Sequence, residues 1–315
     1  MHAFDCLTLP WIAPELPDSI AHGDMPGDKI QIAPDHIEKA QKAFQALRPM
    51  IAATLEASGR CVVAVCGGSG VGKSEIASIL AYYLQETGIG AYILSGDNYP
   101  RRIPYDNDRE RQRVFRMGGL RGLLAGNLYN AENQKRLSAL WAAERDADPS
   151  ACRQLPFLSV YQRAGRCRLG EYLGSREEID FDEVSRLLAQ FKQGAPALFL
   201  KRMGRSVEEV WYDSVDFSGT SVLILEWTHS NSDHLQGVDL PILLNSTPSE
   251  TMAHRRSRNR DQKTDSPFTT MVLELEQKQL EAQAEKAKLI LSKSGEILSY
   301  AAYRALMAQE ERKHE

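Results

Sequence analysis

Gly67-Gly68-Ser69-Gly70-Val71-Gly72-Lys73-Ser74 fits G-x-x-x-x-G-K-[ST] at every position. That run constrains the fold more than any other part of the chain. Its glycines let the backbone curl until successive N–H groups face one point, where they can hold phosphate oxygens. A helix must follow, because its positive N-terminal end completes an anion site, and a strand should precede the turn. Both flanks comply: Cys61-Val-Val-Ala-Val-Cys66 is short and β-rich, and Ser74-Glu-Ile-Ala-Ser-Ile-Leu-Ala-Tyr-Tyr-Leu-Gln-Glu-Thr87 reads as a helix closed by Gly88 and Gly90. Ala91-Tyr-Ile-Leu-Ser95 supplies the next strand. A strand, crossover helix and strand in this span form the βαβ unit of a parallel sheet. The fold class expected is therefore α/β, a doubly wound parallel sheet of the P-loop NTPase kind. Lys73 would reach between the β- and γ-phosphates of a nucleoside triphosphate, and the Ser74 hydroxyl would ligate magnesium.

The rest of the chain divides around this unit. Residues 1–34 carry five prolines and read as an extended arm, with Trp11 and Ile12 as candidates for packing on the domain. Residues 35–100 hold an amphipathic helix, starting at Asp35 as N-cap and stopped by Gly59, and the βαβ unit. Residues 101–175 form an arginine-rich, mostly helical insertion, with helical patches near 108–116 and 131–145 and little β signal. Residues 176–315 return to the core. They contain a helix over 181–193, apolar runs at 197–200 and 289–291, short central strands at 222–225 and 241–244, and helices near 248–261, 271–286 and 299–311.

Composition excludes some classes of function. A net charge of −4 gives no general argument for nucleic-acid or bilayer binding, and no apolar run reaches the length of a membrane span. The N-terminus has acids and prolines where a signal peptide needs a basic start, so the cytoplasm is expected. Cys6, Cys61, Cys66, Cys152 and Cys167 are odd in number and scattered, which argues against a disulfide framework or a zinc site. The partner expected is a small-molecule phosphate acceptor, with neither nucleic acid nor membrane; a second copy of the chain stays open.

Two carboxylates and one basic cluster supply the remaining chemistry. Glu226 ends the apolar strand Val222-Leu-Ile-Leu225, and an acid there points into the crevice where ligands bind in open α/β sheets. It could hold magnesium, or merely cap the strand. Asp97, in Ser95-Gly-Asp97-Asn-Tyr99-Pro, follows the next strand and could accept the proton of an acceptor hydroxyl; Gly-Asp-Asn is also ordinary turn chemistry. In His254-Arg255-Arg256-Ser-Arg258-Asn-Arg260, Arg256 and Arg260 share a helix face. A closing lid would bring them over the nucleotide; otherwise they form a solvated basic face.

With those blocks in order, the chain resembles the uridine kinase, phosphoribulokinase and pantothenate kinase group of P-loop kinases. The matching blocks are Gly67 to Ser74, Asp97-Asn-Tyr99, Ile179-Asp-Phe-Asp-Glu-Val with its helix and Gly194, and the strand ending in Glu226 followed by the arginine-rich lid. The resemblance implies ATP and Mg2+ as cofactors, Asp97 at the catalytic aspartate's place, and Arg260 where a lid arginine meets phosphates. It departs from that group at Leu200-Lys-Arg202-Met203, at Asp265-Ser-Pro267-Phe and at Trp227, where a glycine is usual. The acceptor is therefore expected to differ from uridine. Arg101, Arg102, Arg109, Arg111, Arg113 and Arg116, with Lys201 and Arg202, are the candidates to line a pocket for an anionic acceptor, and Tyr99 is a further substrate candidate; the competing reading pairs the insert's arginines with Asp106, Asp108 and Glu110. The expected function is transfer of the γ-phosphoryl of Mg-ATP to a hydroxyl of a sugar, polyol, hydroxy acid or nucleoside-like metabolite. The alternative is a nucleotide-dependent regulatory or assembly ATPase acting through a protein partner.

Overall fold

A computed structural model describes residues 4–246, 250 and 266–314. These fall into two compact units, one drawn from 1–99, 180–251 and 280–315, the other from 100–179 and 252–279.

The first unit is built on a six-stranded sheet in the order β2-β5-β1-β6-β7-β8. β1 (Cys61–Gly67) is buried along its whole length, as its unbroken apolar run predicts for a central strand. It pairs in parallel with β5 (Val222–Glu226) on one side and β6 (Leu240–Leu244) on the other. β2 (Ala91–Ser95) runs parallel to β5, and β7 (Leu289–Leu291) parallel to β6; only the short β8 (Ile297–Leu298) is antiparallel. Strand order thus reverses around β1, and in such sheets ligands bind outside the carboxyl ends at that reversal.

Helix α1 (Pro34–Ser58) lays Ala40, Ala43, Phe44, Leu47, Ile51 and Leu55 on the sheet's core at helical spacing. It starts two residues before the expected position: Ala33 is the N-cap and Asp35 lies inside the first turn. Pro34 presets the first helical dihedral, and His36 Nδ1 accepts the Ala33 N–H at 3.1 Å. The arm does pack, though through one of its two named residues. Trp11 sits 4.8 Å from the Phe44 ring and 5.0 Å from Tyr83, whereas Ile12 is 91% exposed. The same unit contains α2 (Lys73–Glu86), α6 (Phe181–Lys192) and α8 (Tyr300–His314).

One apolar run lies outside this sheet. Residues 197–203 do form a strand, β3 (Ala197–Met203), but it pairs antiparallel with β4 (Val210–Asp216) in a separate two-stranded sheet. β4 had no counterpart among the sequence expectations, because its residues are exposed or half-exposed throughout and show no apolar alternation.

The second unit is helical: α3 (Pro104–Ala125), α4 (Ala131–Ala142), α5 (Pro156–Tyr172) and the residues up to 279 of α7 (Pro267–Gln283). Its core gathers Phe115, Leu123, Leu158, Tyr161, Leu169 and Val272. α3 and α5 approach closely because glycines line their contact. A Cβ on Gly119 would lie 2.4 Å from the Tyr161 ring, and one on Gly122 2.4 Å from the Ala164 Cβ. Alanine's helix preference over glycine is about 1 kcal/mol, while overpacking an interior costs about 1–3 kcal/mol. With a ring at 2.4 Å the second effect wins. Gly119→Ala is expected to lower unfolding free energy by about 1–2 kcal/mol, read from its urea midpoint at unchanged slope.

Candidate functional site

The glycine-rich loop leaves β1 and enters α2 through backbone that other residues resist. Gly72, the N-cap, has φ +95°, and a Cβ there would lie 2.8 Å from His36 Nε2. Gly67 passes so near β6 that a Cβ would meet the Leu244 carbonyl at 2.8 Å. Gly68, Ser69, Gly70 and Val71 make the turn between them, with Val71 N–H donating to the Gly68 carbonyl at 3.4 Å. Lys73 begins α2, and its Nζ donates to the same Gly68 carbonyl at 3.1 Å, folded over the loop it would serve.

Parallel register brings the acids to this loop. Ser95 is level with Glu226 across the β2–β5 pair, and Glu226 is level with Val65 of β1. Glu226 is 4% exposed, and two hydroxyls hold it: Ser74 Oγ donates to Oε2 at 3.0 Å and Ser95 Oγ to Oε1 at 2.8 Å. Burial, and then the charge of Asp97, push its carboxyl up to about 7 against the opposing pull of Lys73 and the two serines. A carboxyl raised on folding stabilises the protein fully below its unfolded range, near 4.5, and loses that contribution as pH rises through about 7. At ~1.4 kcal/mol per unit the loss is on the order of 3 kcal/mol. Thermal melts of nucleotide-free protein should therefore show falling Tm from pH 5 to 8, and Glu226→Gln should flatten the slope.

Asp97 sits exposed in the 3-10 turn Gly96–Asn98, directly after β2. That turn explains the departure at position 227. Trp227 is 1% exposed and lies on Gly96, where a Cβ would come within 2.0 Å of the ring. The indole also meets Phe181 at 5.4 Å and His229 at 5.5 Å. A large residue replaces the usual glycine after the strand acid, and a glycine across the crevice receives it.

Sequence reasoning missed Asp24. The acid lies in the proline-rich arm with no periodic neighbour to flag it, yet Oδ1 accepts from the Ser95 N–H at 2.8 Å and from Asn98 Nδ2 at 3.1 Å. Its Oδ2 accepts from the Tyr92 hydroxyl at 2.9 Å and from Arg202 Nη1 at 2.8 Å. Arg202, a candidate acceptor contact, is 7% exposed and also pairs with Asp213 at 3.1 Å. Tyr99 is fully buried beside this network, and burial raises its phenol.

Arg102 belongs to the helical unit, where Nη1 donates to the Tyr172 hydroxyl at 3.0 Å and the Glu177 carbonyl at 3.2 Å. Its neighbours there are similarly committed: Arg111 to Glu178 and Glu276, Arg113 to Glu110, Arg116 to Asp146. Arg256 and Arg260 lie outside the described residues. Among the described residues, no helix is long and apolar enough to cross a membrane.

Comparison with known proteins agrees with the loop. The adenylylsulphate kinase family matches residues 59–121. Over 241 residues, 76% of its length, the chain is 40% identical to the bifunctional alpha-galactosidase/sucrose kinase AgaSK of Mediterraneibacter gnavus, and it spans 21% of that relative. Among solved structures, a D-glycerate 3-kinase of Cryptococcus neoformans var. grubii aligns with TM-score 0.45 at 12% identity, covering 85% of this chain and 99% of that one. A possible uridine kinase of Bacillus stearothermophilus aligns with TM-score 0.38 at 15% identity, covering 78% and 98%. The loop motif and the sheet order give the chain the α/β fold of P-loop proteins, and sequence similarity joins it over part of its length to kinases.

Proposed function

We propose that the chain transfers the γ-phosphoryl group of ATP to a hydroxyl of a small, uncharged, sugar-like metabolite. The observation that carries this reading is the convergence of Ser74, Ser95 and Asp97 on Glu226 at the carboxyl ends of β1, β2 and β5. The loop amides and Lys73 bind the triphosphate chain. Asp97, at the mouth of the crevice, aligns the acceptor hydroxyl and takes its proton as the oxygen attacks phosphorus. The phosphoester forms as the bond to ADP breaks, and the proton passes on to solvent. Arg256 and Arg260, by their resemblance to lid arginines, would neutralise charge on the group in transit.

The residues present suit a divalent cation. Glu226 is a buried carboxyl raised partly by a second acid, so negative charge there is undercompensated, and the Ser74 hydroxyl beside it is a hard oxygen donor. Ser74 and Glu226 would hold Mg2+, directly or through water. When bound, the ion shields the phosphate oxygens from the attacking nucleophile.

Two observations support a neutral acceptor. Arg102, Arg111, Arg113, Arg116 and Arg202 engage acids, a hydroxyl or carbonyls of their own units, and the relative from M. gnavus carries sucrose kinase in its name. Sucrose is therefore the first acceptor to try. The test is ATP consumption by purified protein with sucrose, fructose, glucose, glycerate, uridine or adenylylsulphate. Turnover that requires a sugar supports the proposal. Acceptor-independent hydrolysis altered by a protein partner would favour the regulatory ATPase, and absence of Mg-ATP and Mg-GTP binding would discard both readings.

A further inference from the structure

Asp24 bonds to residues on either side of Asp97 without standing in the nucleotide loop. One oxygen, Oδ1, takes the first N–H after β2's apolar run, that of Ser95 (2.8 Å), and the Asn98 side-chain amide (3.1 Å). These two residues bracket Asp97. Ser95 in turn donates its hydroxyl to Glu226 (2.8 Å), and Asn98 Oδ1 accepts the Met203 N–H (3.0 Å), pinning the far end of the turn to β3. The preceding residue, Gly23, runs so close over the site that a Cβ would sit 3.3 Å from Glu226 Oε1. The other oxygen of Asp24 is anchored from behind by Tyr92 and Arg202. Chain far from the loop in sequence is thus folded into the support of the turn that carries the proposed base.

From this geometry we infer that Asp24 is a positioning residue for phosphoryl transfer: it fixes the Ser95–Asn98 turn so that Asp97 and Glu226 hold a set separation. The inference deepens the kinase reading and rests on it for its kinetic consequence, but its structural half stands alone. Two substitutions separate positioning from bulk stability. Asparagine keeps an oxygen for Ser95 and Asn98, while its amide nitrogen can no longer accept from Tyr92 or Arg202; alanine removes both oxygens.

The experiment measures acceptor-dependent kcat, acceptor KM and Mg-ATP Kd, with hydrogen exchange across 93–99, for wild type, Asp24→Asn, Asp24→Ala and the double variant Asp24→Ala, Arg202→Met. A displaced reacting group costs up to about 100-fold in rate. Asp24→Ala should therefore lose about 30- to 100-fold in kcat with Mg-ATP Kd within about 3-fold of wild type, while Asp24→Asn stays within about 5-fold in kcat. The double variant leaves no buried unpaired cation, so it remains measurable should Asp24→Ala fold poorly, and its kcat should match the alanine level. Exchange at Ser95–Asn98 should accelerate in both alanine-bearing proteins and little in Asp24→Asn. Wild-type kcat in the double variant, equal losses in Asn and Ala, or unchanged exchange would each overturn the inference. If the wild type itself shows no acceptor-dependent turnover, the kinase reading fails, and the exchange pattern alone decides whether Asp24 holds the turn.

Discussion

Asp97→Asn is expected to lower kcat by about 10³-fold while Mg-ATP affinity changes by less than about 3-fold. Asparagine keeps the shape of the turn Gly96–Asn98, since its side chain suits the same local hydrogen bonding, but it cannot take a proton. Glu226 cannot substitute, because it is buried and both its oxygens accept serine hydroxyls. The change has a second reading independent of turnover: with Asp97's charge gone, one of the two causes raising the Glu226 carboxyl disappears. The pH dependence of stability in nucleotide-free protein should shift to lower pH in this variant. Stopped-flow single turnover with the acceptor, paired with melts from pH 5 to 8, checks both halves. Full turnover would remove Asp97 from the mechanism.

Lys73→Met should do more damage to the nucleotide, losing about 10²–10³-fold in kcat and weakening Mg-ATP binding measurably. Methionine preserves the length and the apolar stem while deleting the charge that sits over the loop through the Gly68 carbonyl. It also removes the cation whose field opposes the raised Glu226 carboxyl, so the nucleotide-free variant should be less stable near pH 8 than wild type. Isothermal titration with a non-hydrolysable ATP analogue and an acceptor-dependent ATP assay separate the binding loss from the rate loss. Weakened binding with kcat unchanged would mean that the lysine only binds.

The two acids and the loop were legible because each rests on local rules. An unbroken apolar run marks a central strand, and register then brings its last residue to the crevice, as at Glu226. Helices α3 and α5 were obscured for the opposite reason. Gly118, Gly119, Gly122 and Gly165 weaken helical propensity locally, but their value lies in the contact between two helices, where added Cβ atoms would fall under 3 Å from a neighbour. Trp227 read as a departure from the family pattern until Gly96 appeared beneath it. Asp24 left no signal at all: an acid amid prolines acquires meaning only from Ser95, Asn98 and Arg202, residues that no periodicity connects to it.

The Asp24–Arg202 contact spans 178 positions of the chain, and this orders events during synthesis. The arm is made before its anchoring arginine, which follows 178 positions later, after the loop, β2 and the helical insertion. Contacts so distant carry a large closure cost and form late. β5 and β6, the strands that flank β1, follow Arg202 in the chain, so the sheet that seats the phosphate loop and the lock on the turn bearing Asp97 both await the later part of the chain.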